Sequence, residues 1–158
     1  MVGEYRPIAP SFIGWALRRD IILPALTPYG NSSFRLKLHL DAAPGRNAFT
    51  GYGAGYVSVN GTRYDKSLVV LPTRVLADWP ATSFDALEPS HFAVLVELGA
   101  EVVLLGTGDR LRFPAPELTR ALVDARIGLE VMDTPAACRT YNILMAEERK
   151  VVAALLLG

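Results

Sequence analysis

"EVVLLGTGDRLRFP", residues 101–114, runs a short apolar stretch straight into Gly106-Thr107-Gly108. Its apolar part is short, rich in β-branched residues and bounded by charge and glycine, the pattern of a buried strand. A Gly-x-Gly after such a strand is also how a dinucleotide-binding loop begins, with two glycines for the turn and a third for close packing of the next helix. That comparison fails at named positions. Leu111 stands where the third glycine would be, the next helical pattern waits for the Pro114–Pro116 region, and no Lys-Ser or Lys-Thr follows. The stretch reads as a strand closed by a tight turn.

Working toward the C-terminus, the same alternation repeats. "APELTRALVDARI" (115–127) reads as helix, "GLEVM" (128–132) as strand, "DTPAACRTYNILMAEER" (133–149) as helix and "KVVAALLL" (150–157) as strand. Short, strongly apolar strands separated by helices imply right-handed crossovers and neighbouring parallel strands. Asp133 or Thr134 is placed to cap its helix, with Pro135 in the first turn. Toward the N-terminus, "EPSHFAVLVEL" (88–98) suits a short helix entered at Pro89, packed through Phe92, Leu95 and Val96, and stopped by Gly99. His91 sits at the boundary of that apolar stripe.

Earlier residues change period. "APGRNAFTGYGAGYVSVNGTRYDKSLVVLP" (43–72) reads as antiparallel structure, with Asn60-Gly61 as its strongest hairpin signal. Val57 and Val59 alternate before that turn, and Pro72 ends the strand begun at Leu68. Gly51, Gly53 and Gly55 leave room beside Tyr52 and Tyr56. In "FRLKLHLD" (34–41) leucines alternate with Arg35, Lys37 and His39, placing His39 on a wet face. The fold expected is α/β: a mixed sheet with parallel C-terminal strands, flanking helices and an antiparallel ribbon. Residues 1–33 are expected to form an N-terminal extension and residues 34–158 the domain.

Composition narrows the function classes. The chain has 158 residues, 51% of them hydrophobic, enough for one cored domain without staples. Sixteen basic and sixteen acidic residues leave no net charge, and no run of like charge marks a nucleic-acid partner. Cys138 is the only cysteine, which fits a reducing compartment and a cytoplasmic location. "VVAALLLG" is far below the roughly 20 residues of a membrane span, so integral membrane association is not expected. Arg18, Arg19 and Asp20 interrupt the apolar residues near the N-terminus, unlike a secretion signal. Two distant histidines and one cysteine make no local metal spacing, and no cofactor is expected.

The candidate chemistry lies on the rim where the C-terminal strands end, the usual place for ligands in open α/β sheets. Gly106, Thr107, Gly108 and Asp109 form the turn, with backbone N–H groups near Gly108 expected to face an anion. Asp133, Thr134, Arg139 and Asn142 come from the following helix. Arg139 is expected either to pair with Asp133, Asp109 or Glu130, or to help hold a small anionic ligand; Asn142 would extend the polar strip. Arg110 and Arg112 make a charged edge whose Leu111 and Phe113 pack inward. Cys138 suits a small core position as well as a nucleophile. On the ribbon, Tyr52, Tyr56 and Tyr64 supply rigid amphipathic anchors for a protein partner.

The segments 45–72, 101–114 and 128–156, in that order, resemble the Mth938-like family, formerly a domain family of unknown function that includes a mitochondrial assembly factor for respiratory complex I. The resemblance covers roughly residue 34 to the end. It implies a compact α/β domain with a mixed sheet and a protruding antiparallel ribbon, and brings no catalytic residue or cofactor with it. Two functions follow as expectations. One is a noncatalytic protein-interaction or assembly module; the other is a small-molecule or anion binder or enzyme using the 106–109 turn and the start of the 134–146 helix.

Overall fold

The computed structural model of the protein describes residues 44–158 and the backbone of a short strand, Leu36–Lys37 (β1). The N-terminal extension and His39 lie outside the described residues, as does most of the strand expected over 34–41.

Turn chemistry shapes the first sheet. β2 (Phe49–Gly53), β3 (Tyr56–Val59) and β4 (Thr62–Tyr64) run antiparallel, and β1 adds to β2, giving the order β1-β2-β3-β4. Between β3 and β4, Asn60 and Gly61 have φ of 49° and 84°, the left-handed pair that a two-residue hairpin turn requires. The Asn60 side chain also accepts the Ala48 N–H at 2.9 Å, tying the turn to the chain entering β2. A bulge between Phe49 and Gly51 shifts the β2–β3 register.

The second sheet holds β5 (Leu68–Val70), β6 (Val75–Leu76), β7 (Val102–Gly106), β8 (Gly128–Met132) and β9 (Val151–Leu155) in the order β6-β5-β9-β7-β8. β7 lies parallel to both β8 and β9, as the apolar segments separated by helices required. β5 pairs antiparallel with β9 and β6, which makes the sheet mixed. The hairpin material thus divides: β5 and β6 extend the core sheet, whereas β1–β4 stand as a separate ribbon.

The helices are α1 (Pro89–Val96), α2 (Arg120–Asp124) and α3 (Thr134–Ala146). α2 is much shorter than the 115–127 pattern suggested. Leu118 and Thr119 bond back three residues, to Ala115 and Pro116, so the chain makes tight turns before a true helix begins. α1 opens with His91 Nδ1 accepting the Glu88 N–H at 3.1 Å, which makes this boundary histidine a cap.

Strand alternation sorts the core onto two faces. Leu104 joins Phe49, Val57, Tyr141 and Leu155 on the side of the ribbon and α3. Val103 and Leu105 join Phe92, Leu95 and Leu122 on the side of α1 and α2. Each fully buried side chain of this size contributes about 1.5–3 kcal/mol of transfer free energy. Because α2 and α3 cover opposite faces, the connections leaving β7 and β8 part at the sheet edge. That is the switch point at which open sheets form a ligand crevice.

Candidate functional site

At this edge the hydroxyls of the two threonines bond within the protein. Thr107 is buried, with Oγ1 2.7 Å from Arg110 O and 3.1 Å from Met132 O, and it accepts the Arg112 N–H at 3.1 Å. Thr134 Oγ1 donates to Leu156 O at 3.0 Å and accepts the Gly108 N–H at 3.0 Å. The Thr134 N–H returns to Gly108 O at 2.8 Å, and the Thr107 N–H reaches Met132 O at 2.9 Å. Asp133 caps α3 by accepting the Ala136 N–H at 2.7 Å. The Gly108 N–H, expected to face an anion, is therefore directed at a neighbouring hydroxyl.

Gly106 explains why glycine stands at the end of β7. A β-carbon there would lie 2.9 Å from Thr134 Oγ1 and 3.1 Å from Thr134 Cα. The glycine lets the start of α3 approach the strand end, and the two threonine hydroxyls then lace strand, turn and helix together. The buried strand does end in a tight turn, one built for packing.

The space left at this rim is small. A crevice of about 70 Å³ opens where Tyr52 and Gly53 of the ribbon meet Gly108, Asp109, Thr134 and Pro135. Pockets for drug-sized ligands run to about 300–1,000 Å³. The structure thus brings Gly108, Asp109, Asp133 and Thr134 to one rim and adds Tyr52 to it, while Gly106 and Thr107 lie beneath. Asp109 is exposed.

Arg139 belongs to the ribbon side of α3. Its Nη1 donates to Tyr52 Oη at 2.7 Å, and the guanidinium lies 5.8 Å from the ring centre. The carboxylate partner expected among Asp133, Asp109 and Glu130 is not the one it takes: among the described residues no salt bridge involves Arg139. Asn142 corrects the reading of a polar surface strip. It is fully buried, its Oδ1 accepting the Phe49 N–H and its Nδ2 donating to Phe49 O, both at 2.8 Å. The side chain completes the backbone pairing of a strand residue at the β2 bulge, where the ladder has left it.

Cys138 is buried in the core, and desolvation pushes its thiol up to about 12 despite the neighbouring Arg139 charge. It is a packing residue with almost no thiolate at neutral pH. Tyr141, edge-on to Phe49 with ring centres 5.2 Å apart, is pushed above the ordinary phenol range by burial, and its hydroxyl has no partner among the described residues. Among the described residues no cluster of three His, Cys, Asp or Glu side chains is placed to hold a metal ion.

Tyr52, Tyr56 and Tyr64 are all half-buried. Tyr52 and Tyr64 lean on the core, whereas Tyr56 lies across Gly53 on the other face of the ribbon. Arg63, which sequence reasoning passed over, stacks 3.8 Å from the Tyr56 ring centre. The signal was the hairpin register itself: Ser58 opposes Arg63, so Arg63 stands diagonal to Tyr56 on one face. Leu111 and Phe113 do not pack inward; they are 50% and 73% exposed. Arg112 between them stacks on Phe84 and pairs with Asp85, so it is the cation that turns back to the protein.

Comparison with known proteins agrees with the fold. The family described as "Protein of unknown function (DUF498/DUF598)" matches residues 49–156. NADH dehydrogenase (ubiquinone) 1 alpha subcomplex assembly factor 3 of Bos taurus is 33% identical over 152 residues, covering 93% of this chain and 80% of that protein. A crystal structure of a Bordetella parapertussis protein superposes with a TM-score of 0.68 at 43% identity, covering 72% of this chain and 98% of the other. A solution structure from Bordetella pertussis, described as a Mth938-like domain, gives a TM-score of 0.64 at 38% identity over 77% of this chain and 92% of that one.

Proposed function

The chain belongs to the DUF498/DUF598 family of Mth938-like domains, and on that premise we propose that it acts as a noncatalytic protein-interaction or assembly module. The observation that carries this reading is the hydrogen-bond inventory at the sheet edge. The groups that would act on a small ligand, the Thr107 and Thr134 hydroxyls and the Gly108 N–H, are bonded to one another or to the backbone. The thiol that would act as a nucleophile is buried and protonated. A bovine relative named as an assembly factor supports the same class of role.

The ribbon supplies the surface. Tyr52 with Arg139 and Tyr56 with Arg63 present half-buried rings and exposed guanidinium groups, and Tyr64 braces the ribbon from its inner face. Aromatic rings and arginines are the residue types that dominate binding energy at protein interfaces. A balanced charge offers nucleic acid no electrostatic footprint. Among the described residues no helix is long and apolar enough to cross a membrane. We place the protein in the cytoplasm, where a single buried thiol stays reduced.

Affinity capture from the native cell tests the reading. The intact chain is expected to recover at least one protein reproducibly, and a variant carrying Arg63→Glu with Arg139→Glu, equally stable to heat, is expected to lose it. Recovery of no reproducible partner, or equal recovery by both chains, would count against the ribbon as the interaction surface.

A further inference from the structure

The two edges of the five-stranded sheet are finished differently. At one edge β6 spans only Val75–Leu76 and stands between Pro72 and Pro80. Short strands and nearby prolines are devices that blunt an edge against further pairing. At the other edge β8 runs from Gly128 to Met132 without proline, lysine or bulge, in unbroken register with β7.

The parallel ladder decides which backbone groups of β8 are used, because alternate residues face the neighbouring strand. The Gly128 N–H donates to Glu101 O at 3.0 Å, and Met132 O accepts the Thr107 N–H at 2.9 Å. Gly128, Glu130 and Met132 therefore turn their backbone groups toward β7. Leu129 and Val131 turn theirs outward, and among the described residues nothing receives them. The Leu129 and Val131 side chains pack against the α1–α2 side of the core. That anchoring fixes the register, since a slip of one residue would move both to the wrong face.

We propose that the β8 edge docks an extended, basic segment of another protein as an added strand. This deepens the interaction-module reading and rests on it. A second copy of the chain is the rival occupant, and the charge pattern argues against it. An antiparallel β8 pair that uses all the outward groups sets Leu129 opposite Val131 of the copy and centres on Glu130. Two carboxylates would then face each other directly, which destabilises a strand pair. Glu130 is exposed and is the only charged residue of the strand. A lysine or arginine opposite it makes the same geometry attractive. Backbone bonds at Leu129 and Val131 supply the affinity, and Glu130 selects the incoming sequence.

Nuclear magnetic resonance titration of the full chain, with the capped peptide Thr-Val-Lys-Val-Thr and its glutamate-centred twin, tests the proposal. At millimolar concentration the lysine peptide is expected to shift the Leu129 and Val131 amides and slow their exchange. It should bind roughly threefold tighter than the twin, with Glu130→Lys reversing the preference. No shift at these amides with either peptide, or a preference that Glu130→Lys leaves unmoved, overturns the proposal. Concentration-dependent protection of the same amides without peptide also overturns it and assigns the edge to a second copy. A silent β8 edge beside loss of capture by the Arg63→Glu and Arg139→Glu variant removes this inference while leaving the assembly reading in place.

Discussion

The rim of the five-stranded sheet and the four-stranded ribbon hold similar polar groups, and the fold uses them in opposite ways. At the rim, Thr107, Gly108, Asp133 and Thr134 are bonded within the protein, and Gly106 lets them close up. At the ribbon, Arg63 of β4 and Arg139, reaching across from α3, remain at the surface against half-buried tyrosines. The difference teaches that a cluster of hydroxyls, amides and charges becomes a site only where its bonds are left to be made. Perturbing the rim should cost stability. Perturbing the ribbon should cost binding.

The largest expected effect comes from Asn142→Leu, at the seam between the two regions. The substitution leaves the buried Phe49 N–H and C=O without the partners they now have at 2.8 Å. Each unsatisfied buried group costs about 1–3 kcal/mol, so urea unfolding should show a loss of about 2–4 kcal/mol after partial relaxation. Asn142→Asp keeps the acceptor for the N–H but sets a carboxylate oxygen against Phe49 O, and should also destabilise. A loss well below ~1 kcal/mol for Asn142→Leu would mean that the ribbon is not pinned to α3 by this residue.

Gly106→Ala attacks the rim itself. The added methyl meets Thr134 Cα, a backbone atom that cannot swing away, so a loss of about 1–3 kcal/mol is expected in the same measurement. If the alanine variant matches the parent, the close approach of α3 to β7 is not what selects glycine there.

These two residues also show what was legible in the sequence. The strands 102–106, 128–132 and 151–155 announced themselves because unbroken apolar runs between helices have few other places to go. The Asn60-Gly61 turn was equally plain, because it depends on local backbone freedom. Asp133 as a cap followed from chemistry within one helical turn. Asn142 and Arg139 misled because their partners, Phe49 and Tyr52, lie 93 and 87 residues away. The Gly108 turn and the start of α3 meet at one rim, as the topology implied, but nothing local reveals that the Thr107 and Thr134 hydroxyls are used internally. Proximity was readable from topology; availability was not.

Cys138 and Tyr141 sharpen the contrast through pH. Burial raises the thiol from 9.0 to about 12 and raises the phenol as well. The unfolded chain therefore loses these protons at lower pH than the folded chain. Stability from this source is complete below about pH 9 and falls as pH rises toward 12, by about 1 kcal/mol per unit at first. Urea unfolding across this range should show the decline, and Cys138→Ala should flatten its first part. A thiol reagent at pH 8 should label Cys138 only at the rate of unfolding; rapid native labelling would remove it from the closed core.

Tyr52→Phe should have the smallest effect on stability and is the most direct test of the ribbon. It deletes the hydroxyl that receives Arg139 at 2.7 Å while keeping the ring that leans on the core. The bond is exposed, and removing one such surface contact to a charged group costs roughly 0–1 kcal/mol, so the melting temperature should scarcely move. The guanidinium would then be free to choose another orientation, and capture of a protein partner should weaken because a preset anchor has become mobile. A clear drop in stability would make the Tyr52–Arg139 pair a brace like Thr134, erasing the distinction between ribbon and rim. Unchanged stability with unchanged capture would keep the distinction in stability but move the binding surface away from this tyrosine.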